Sequence, residues 1–163
     1  MTRAAVITVS DRSAAGQRED AGGPIAVAAL QAAGFSCDTA TVVPDGADSV
    51  EAALRAALAA GARLIVTTGG TGVGPRDRTP EGTARVLTRD LPGIADELRR
   101  LGAAEKPAGM LSRGLSGVVD VDEGRGGALV VNLPGSPAAV ISGIPVVLSV
   151  ARHVIDQLGG GDH

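Results

Sequence analysis

The stretch Arg63–Thr83, "RLIVTTGGTGVGPRDRTPEGT", decides the fold. It opens with Arg63–Thr68, whose apolar and β-branched run is the pattern of a strand buried on both faces. It closes on Thr79-Pro80-Glu81, which reads as a helix start: Thr as N-cap, Pro at the first helical position, an acid in the first turn. A connection between strand and helix normally takes about two to six residues. Here ten residues intervene, four of them glycine, with Arg76-Asp77-Arg78 packed before the helix. Such a loop is built to hold something.

Working outward, a doubly buried strand needs parallel neighbours and helices on both sides. Ala4–Ser10 reads as a first strand and Ser36–Val43 as a second. Asp20–Gly34 and Asp48–Gly61 read as helices, the latter capped by Asp48 or Ser49 with Val50, Leu54 and Leu58 facing inward. The helix from Thr79 carries Ala84, Val86 and Leu87. Pro92-Gly93 punctuates before a helix over Ile94–Gly102. "SGVVDV" and "GALVVNL" form a hairpin around Asp122–Gly127. "PGSP" (Pro134–Pro137) opens a long apolar helix that Pro145 should interrupt or kink. The fold class is therefore α/β: a three-layer α/β/α sandwich, with a mostly parallel sheet and one late hairpin. We expect a single domain over residues 1–158 and a disordered tail over 159–163.

Composition narrows the function. The chain has 163 residues, one Phe, and neither Tyr nor Trp, so the core is built from Val, Leu, Ile and Ala. A net charge of −3 argues against a general nucleic-acid partner. Fourteen of the fifteen basic residues are Arg, the better bidentate partner for phosphate; Lys106 is the exception. The single Cys37 excludes an internal disulfide and a Cys zinc site, and its alternation with Phe35 marks it as buried. His153 is a lone helical histidine, and no Ser-His-Asp set lies near the loop. The N-terminal apolar run is too short for a signal peptide, and Ala138–Ala151 is interrupted and too short to span a membrane. We expect a cytoplasmic protein without a membrane partner.

Open α/β sheets bind ligands at the carboxyl ends of their strands. Ser10-Asp11-Arg12, Pro44-Asp45, the glycine loop and "NLPGSP" all fall at such ends. The loop fits neither GxxxxGK[ST] nor GxGxxG, because Pro75 follows Gly74. The physical argument stands without those patterns. Glycines expose backbone N–H groups to an anion, and the helix start adds more. Arg76 and Arg78 add full charges; which of them faces inward stays open. Asp77 repels phosphate unless a cation mediates, and Mg²⁺ takes a few carboxylates plus phosphate oxygens. Asp45 is either a second carboxylate for that cation or a Pro-Asp-Gly turn residue.

The run from Thr67 to Thr83 resembles the molybdopterin-binding proteins of molybdenum-cofactor synthesis, the Mog-type molybdopterin adenylyltransferases and their MoaB relatives. "VSDR" (Val9–Arg12), "VVPD" (Val42–Asp45), "MLSR" (Met110–Arg113) and "NLPGSP" (Asn132–Pro137) support it in family order across nearly the whole chain. The resemblance implies transfer of the adenylyl group of ATP to molybdopterin with release of pyrophosphate. It implies Asp45 and Asp77 as catalytic residues and Mg²⁺ ligands. It places Gly69, Gly70, Thr71 and Gly72 with Pro134 and Gly135 on the nucleotide side. Thr79, Pro80, Glu81, Ser112 and Arg113 fall on the pterin side. Ser10, Arg76 and Arg78 complete the expected substrate contacts. No tightly bound cofactor is expected beyond Mg²⁺ and the co-substrate ATP. The resemblance further implies a homotrimer and a molybdate-insertion protein as a partner. The alternative is a MoaB-like protein that binds molybdopterin without turnover. One departure is Gly82, where the family usually has Ala; it loosens the first turn of its helix.

Overall fold

The computed structural model describes residues 1–121 and 126–162. The tip of the late hairpin and His163 lie outside the described residues. One sheet contains β1 (Arg3–Val9), β2 (Ser36–Cys37), β3 (Thr41–Val43), β4 (Leu64–Thr68), β5 (Arg89–Asp90), β6 (Ser116–Val119) and β7 (Ala128–Leu133). Its order is β2-β1-β4-β7-β6-β5, with β3 also on β1. β1, β2, β3, β4 and β7 run parallel. β6 returns antiparallel to β7, and β5 antiparallel to β6.

Alternation along each strand builds two cores. Ala4, Val6, Leu64, Val66, Leu129 and Val131 face one side. There they meet α2 (Gly22–Ala32), α5 (Pro92–Glu105) and α6 (Pro137–Leu158). Ile7, Val9, Ile65 and Val130 face the other, against Val50 and Leu54 of α3 (Ala47–Ala59) and Val86. This is the expected three-layer sandwich. Phe35 and Cys37 are buried as their alternation predicts.

Several local expectations differ. The second strand breaks over residues 38–40, because the Cys37 carbonyl is taken by the Gln31 side-chain amide at 2.7 Å rather than by a ladder. Gly46, at φ 124°, starts α3, so neither Asp48 nor Ser49 is the cap; the Ser49 hydroxyl donates back to the Pro44 carbonyl at 2.6 Å. Arg78 precedes α4 (Thr79–Ala84) as its N-cap, so Thr79 is already helical and Val86 and Leu87 lie beyond the helix. Pro92 begins α5 rather than preceding it. A short α1 (Asp11–Ala14) and a 3₁₀ turn over Pro107–Leu111 had no clear sequence signal.

Pro145 does not end the last helix. α6 continues for 22 residues, long and apolar enough on length and composition to cross a bilayer, contrary to the shorter segment expected. Pro145 and Ile141, one turn earlier, both sit on the exposed face, so the carbonyl that the proline leaves without a partner faces water. The opposite face carries Val140, Ile144, Val147, Ala151 and Ile155 into the core, as expected of a core helix.

Candidate active site

Because β3, β1, β4 and β7 are parallel neighbours, the turns that follow them share one sheet edge. Gly69 and Gly70 take φ of 94° and 68°, which turns the chain sharply off β4. A Cβ on Gly69 would lie 2.2 Å from the Val9 carbonyl oxygen, and one on Gly135 would lie 3.1 Å from the Gly69 Cα. The glycine loop and the Pro134–Ser136 turn therefore touch backbone to backbone, and only glycine permits it.

From beneath, Thr79 and Pro80 are buried and shape the loop. The Thr79 hydroxyl donates to the Gly69 carbonyl at 2.9 Å, and its amide donates to the Gly70 carbonyl at 3.1 Å. Arg113 braces the other side. Its guanidinium donates to the Gly72 carbonyl at 2.9 Å, to the Asp77 carbonyl at 2.8 Å, and to Glu81. That contact holds the Glu81 carboxyl below its ordinary value. Glu81 Oε2 is buried without a partner.

The loop lines a cleft of about 440 Å³ together with α5, the 3₁₀ turn, Ser112, Pro134–Ser136 and the start of α6. Among the described residues, the amides of Gly70, Thr71, Gly72 and Val73 make no hydrogen bond to another protein group. Four successive donors are thus available at the cleft wall.

Asp77 reaches the same wall. Its carboxylate accepts from the Gly74 amide at 2.9 Å, and a Cβ on Gly72 would lie 2.9 Å from it. Asp45 stands behind the loop, with Oδ1 3.2 Å from where a Gly70 Cβ would be. Burial pushes the Asp45 carboxyl above its ordinary value, and the charges of Asp11 and Asp77 push the same way, against the Asp11 amide and Arg76. The two acids therefore sense each other. Among the described residues, neither carboxylate is paired with an arginine, although arginines flank both. Among the described residues no group of three potential metal ligands gathers here, but these two carboxylates, each with one oxygen not taken by a backbone amide, are hard donors of the kind that hold a divalent cation together with phosphate oxygens and water.

The two arginines differ. Arg76 forks onto Asp11, Nε and Nη2 each at 3.1 Å, and donates to the Asp45 carbonyl at 2.9 Å. Arg78 has only a loose pairing with Glu81 at 3.7 Å. Arg78 is therefore the less committed of the two. Ser10 caps α1, its hydroxyl accepting from the Ser13 amide at 3.2 Å. Sequence reasoning named "NLPGSP" but missed Asn132. That buried side chain donates to the Thr67 and Thr83 hydroxyls at 2.9 and 3.0 Å and accepts from the Leu115 amide at 3.0 Å. An asparagine ending an apolar strand was the available signal.

The comparisons agree with this geometry. The family model described as a probable molybdopterin binding domain matches residues 5–153. A molybdopterin adenylyltransferase of Pyrococcus furiosus is 36% identical over 152 residues, covering 92% of this chain and 87% of that protein. A molybdenum cofactor biosynthesis bifunctional protein of Synechococcus elongatus is 42% identical over 98% of this chain. The chain spans only about half the length of that protein, 48%. Among solved structures, the Mog protein of Mycobacterium ulcerans superposes with a TM-score of 0.87 at 42% identity, covering 97% of this chain and 99% of that one. The tungsten cofactor synthesizing protein MoaB from Pyrococcus furiosus gives 0.89 at 32% identity, covering 98% of each chain. With the family model running from its first strand into its last helix, the chain belongs to the molybdopterin-binding domain family.

Proposed function

We propose that this domain transfers the adenylyl group of ATP to molybdopterin. A phosphate oxygen of molybdopterin attacks the α-phosphorus, the bond from that phosphorus to the bridging oxygen breaks, and pyrophosphate leaves. The observation that carries the reading is the wall of four unused amides from Gly70 to Val73 beside two carboxylates free of arginine. Relatives named molybdopterin adenylyltransferase support it.

Phosphoryl-type transfer requires positioning and charge neutralisation more than covalent chemistry. The loop amides donate to phosphate oxygens whose charge shifts during transfer. Arg78, exposed and only loosely paired with Glu81, would add a full charge. The cleft wall on α5 and α6, with Ala95, Leu98 and Ala139, excludes water from one side. Asp45 and Asp77 would hold Mg²⁺, which when bound neutralises phosphate charge. The reading extends to a cytoplasmic homotrimer that passes its product to a molybdate-insertion protein.

The test is pyrophosphate release by purified protein given molybdopterin, ATP and Mg²⁺. Asp45→Ala and Asp77→Ala should each lower turnover at least about tenfold with the fold intact. Wild-type rates in both variants remove the cation-holding role. Tight pterin binding without release by the wild type supports the MoaB-like, binding-only alternative.

A further inference from the structure

We infer that Asp11 is a positioning residue that sets Asp45 and keeps Arg76 off the Asp45 carboxylate. The inference rests on the proposed reaction for its kinetic arm alone. Asp11 is the first residue of α1, directly after β1. Its Oδ1 accepts from the Asp45 amide at 3.1 Å and from Arg76 Nη2 at 3.1 Å, while Oδ2 accepts from Arg76 Nε at 3.1 Å. Its own amide donates to Asp45 Oδ2 at 2.9 Å. Arg76 closes the ring by donating to the Asp45 carbonyl at 2.9 Å. One pair thus grips Asp45 by its N–H, its C=O and one carboxylate oxygen. The second carboxylate oxygen, Oδ1, is left beside Gly70.

The arrangement joins three segments far apart in sequence: the end of β1, the end of β3, and the glycine loop. Its energetics point to geometry rather than stability. The Arg76 side chain is 64% exposed and that of Asp11 44%, and an ion pair so open to water adds little to stability. A bidentate fork does fix direction. Asp11 also occupies the guanidinium closest to Asp45. Without it, Arg76 is released beside an unpaired carboxylate and can pair with Asp45 directly.

The experiment uses Asp11→Ala, Asp11→Asn and Arg76→Gln in the full chain. Asp11→Ala should lower kcat about tenfold to a hundredfold, leave KM for molybdopterin within about twofold, and shift Tm by no more than about 4 °C. Asp11→Asn keeps one acceptor for the Asp45 amide and should recover part of the loss. A crystal structure of Asp11→Ala should show Arg76 turned onto the Asp45 carboxylate. Wild-type kcat in Asp11→Ala overturns the inference, as does a crystal structure with Asp45 and Arg76 unmoved. If Asp11→Ala fails to fold, Asp11→Asn decides by kcat and by the positions of Asp45 and Arg76, and Arg76→Gln decides by kcat and by displacement of Asp45, wild-type kcat with Asp45 unmoved overturning the inference. If the wild type releases no pyrophosphate, the proposed reaction fails while the crystal structure still decides the role of Asp11.

Discussion

Gly82→Ala, a change toward the residue that the resemblance leads one to expect here, should destabilise this protein. Two effects oppose each other. Alanine in place of glycine inside a helix gains at most about 1 kcal/mol, and less in a helix of six residues close to its start. Against that, the new Cβ would lie 2.5 Å from the Ala47 carbonyl oxygen, 2.9 Å from Val50 Cβ and 3.1 Å from Val50 Cγ1. Those atoms belong to the start of α3, and a carbonyl and a Cβ cannot swing aside as a side-chain tip does. Overpacking of this kind costs about 1–3 kcal/mol. The balance is a loss of about 1 kcal/mol, which lowers Tm by about 2–4 °C in a chain of this size. Thermal unfolding followed by circular dichroism, with wild type and variant in one buffer, reads this directly. A variant melting at or above wild type would refute the reasoning, because α4 would then be free to move off α3. In the expected case α4 shifts, and Thr79, which holds the Gly69 carbonyl, shifts with it.

Asn132→Ala should cost about 2–3 kcal/mol in urea unfolding, because it removes the donor to the buried Thr67 and Thr83 hydroxyls and leaves the partly buried Leu115 amide without its acceptor. Glu81→Gln should flatten the acid limb of stability. Arg113 lowers the folded pKa of Glu81 from 4.5, so its contribution is fully present above the unfolded value and is lost as pH falls through the folded one. Melting temperatures at pH 7 and pH 3 should therefore differ less in the variant than in wild type. Arg78→Ala should weaken ATP binding about fivefold to tenfold by calorimetry, with the loss shrinking at high salt; unchanged affinity would remove Arg78 from the phosphate side.

The sheet was largely legible because its signal is local. Leu64–Thr68 and Ala128–Leu133 are continuous apolar runs, and both became central parallel strands. The glycine loop was legible from its length and residue types. Caps were not, because they depend on dihedral angles that side-chain identity only biases. Asp48 and Ser49 are good cap residues, but Gly46 reached a φ of 124° first and started the helix before them. That the helix runs on uninterrupted through Pro145 was not legible, because the cost of an internal proline depends on which face it occupies. On the exposed face, water meets the carbonyl that the missing N–H leaves unpaired.

The two arginines show where sequence reading stops for the site. Arg76 and Arg78 flank the same aspartate and are chemically identical, so local pattern gives each the same claim on phosphate. What separates them is a partner 65 positions from Arg76, Asp11, brought close because β1 lies between β3 and β4 in the sheet. Strand order therefore separates them: one guanidinium is tied to Asp11 and the Asp45 carbonyl, and the other is left exposed with a loose contact to Glu81. The same logic explains why Asp45 and Asp77 remain unpaired in so arginine-rich a setting. Arg76 is committed to Asp11 and the Asp45 carbonyl, Arg113 to Glu81 and two loop carbonyls, and Arg78 leans toward Glu81 rather than Asp77. On the proposed reading, arginines engaged elsewhere leave both carboxylates available to a divalent cation.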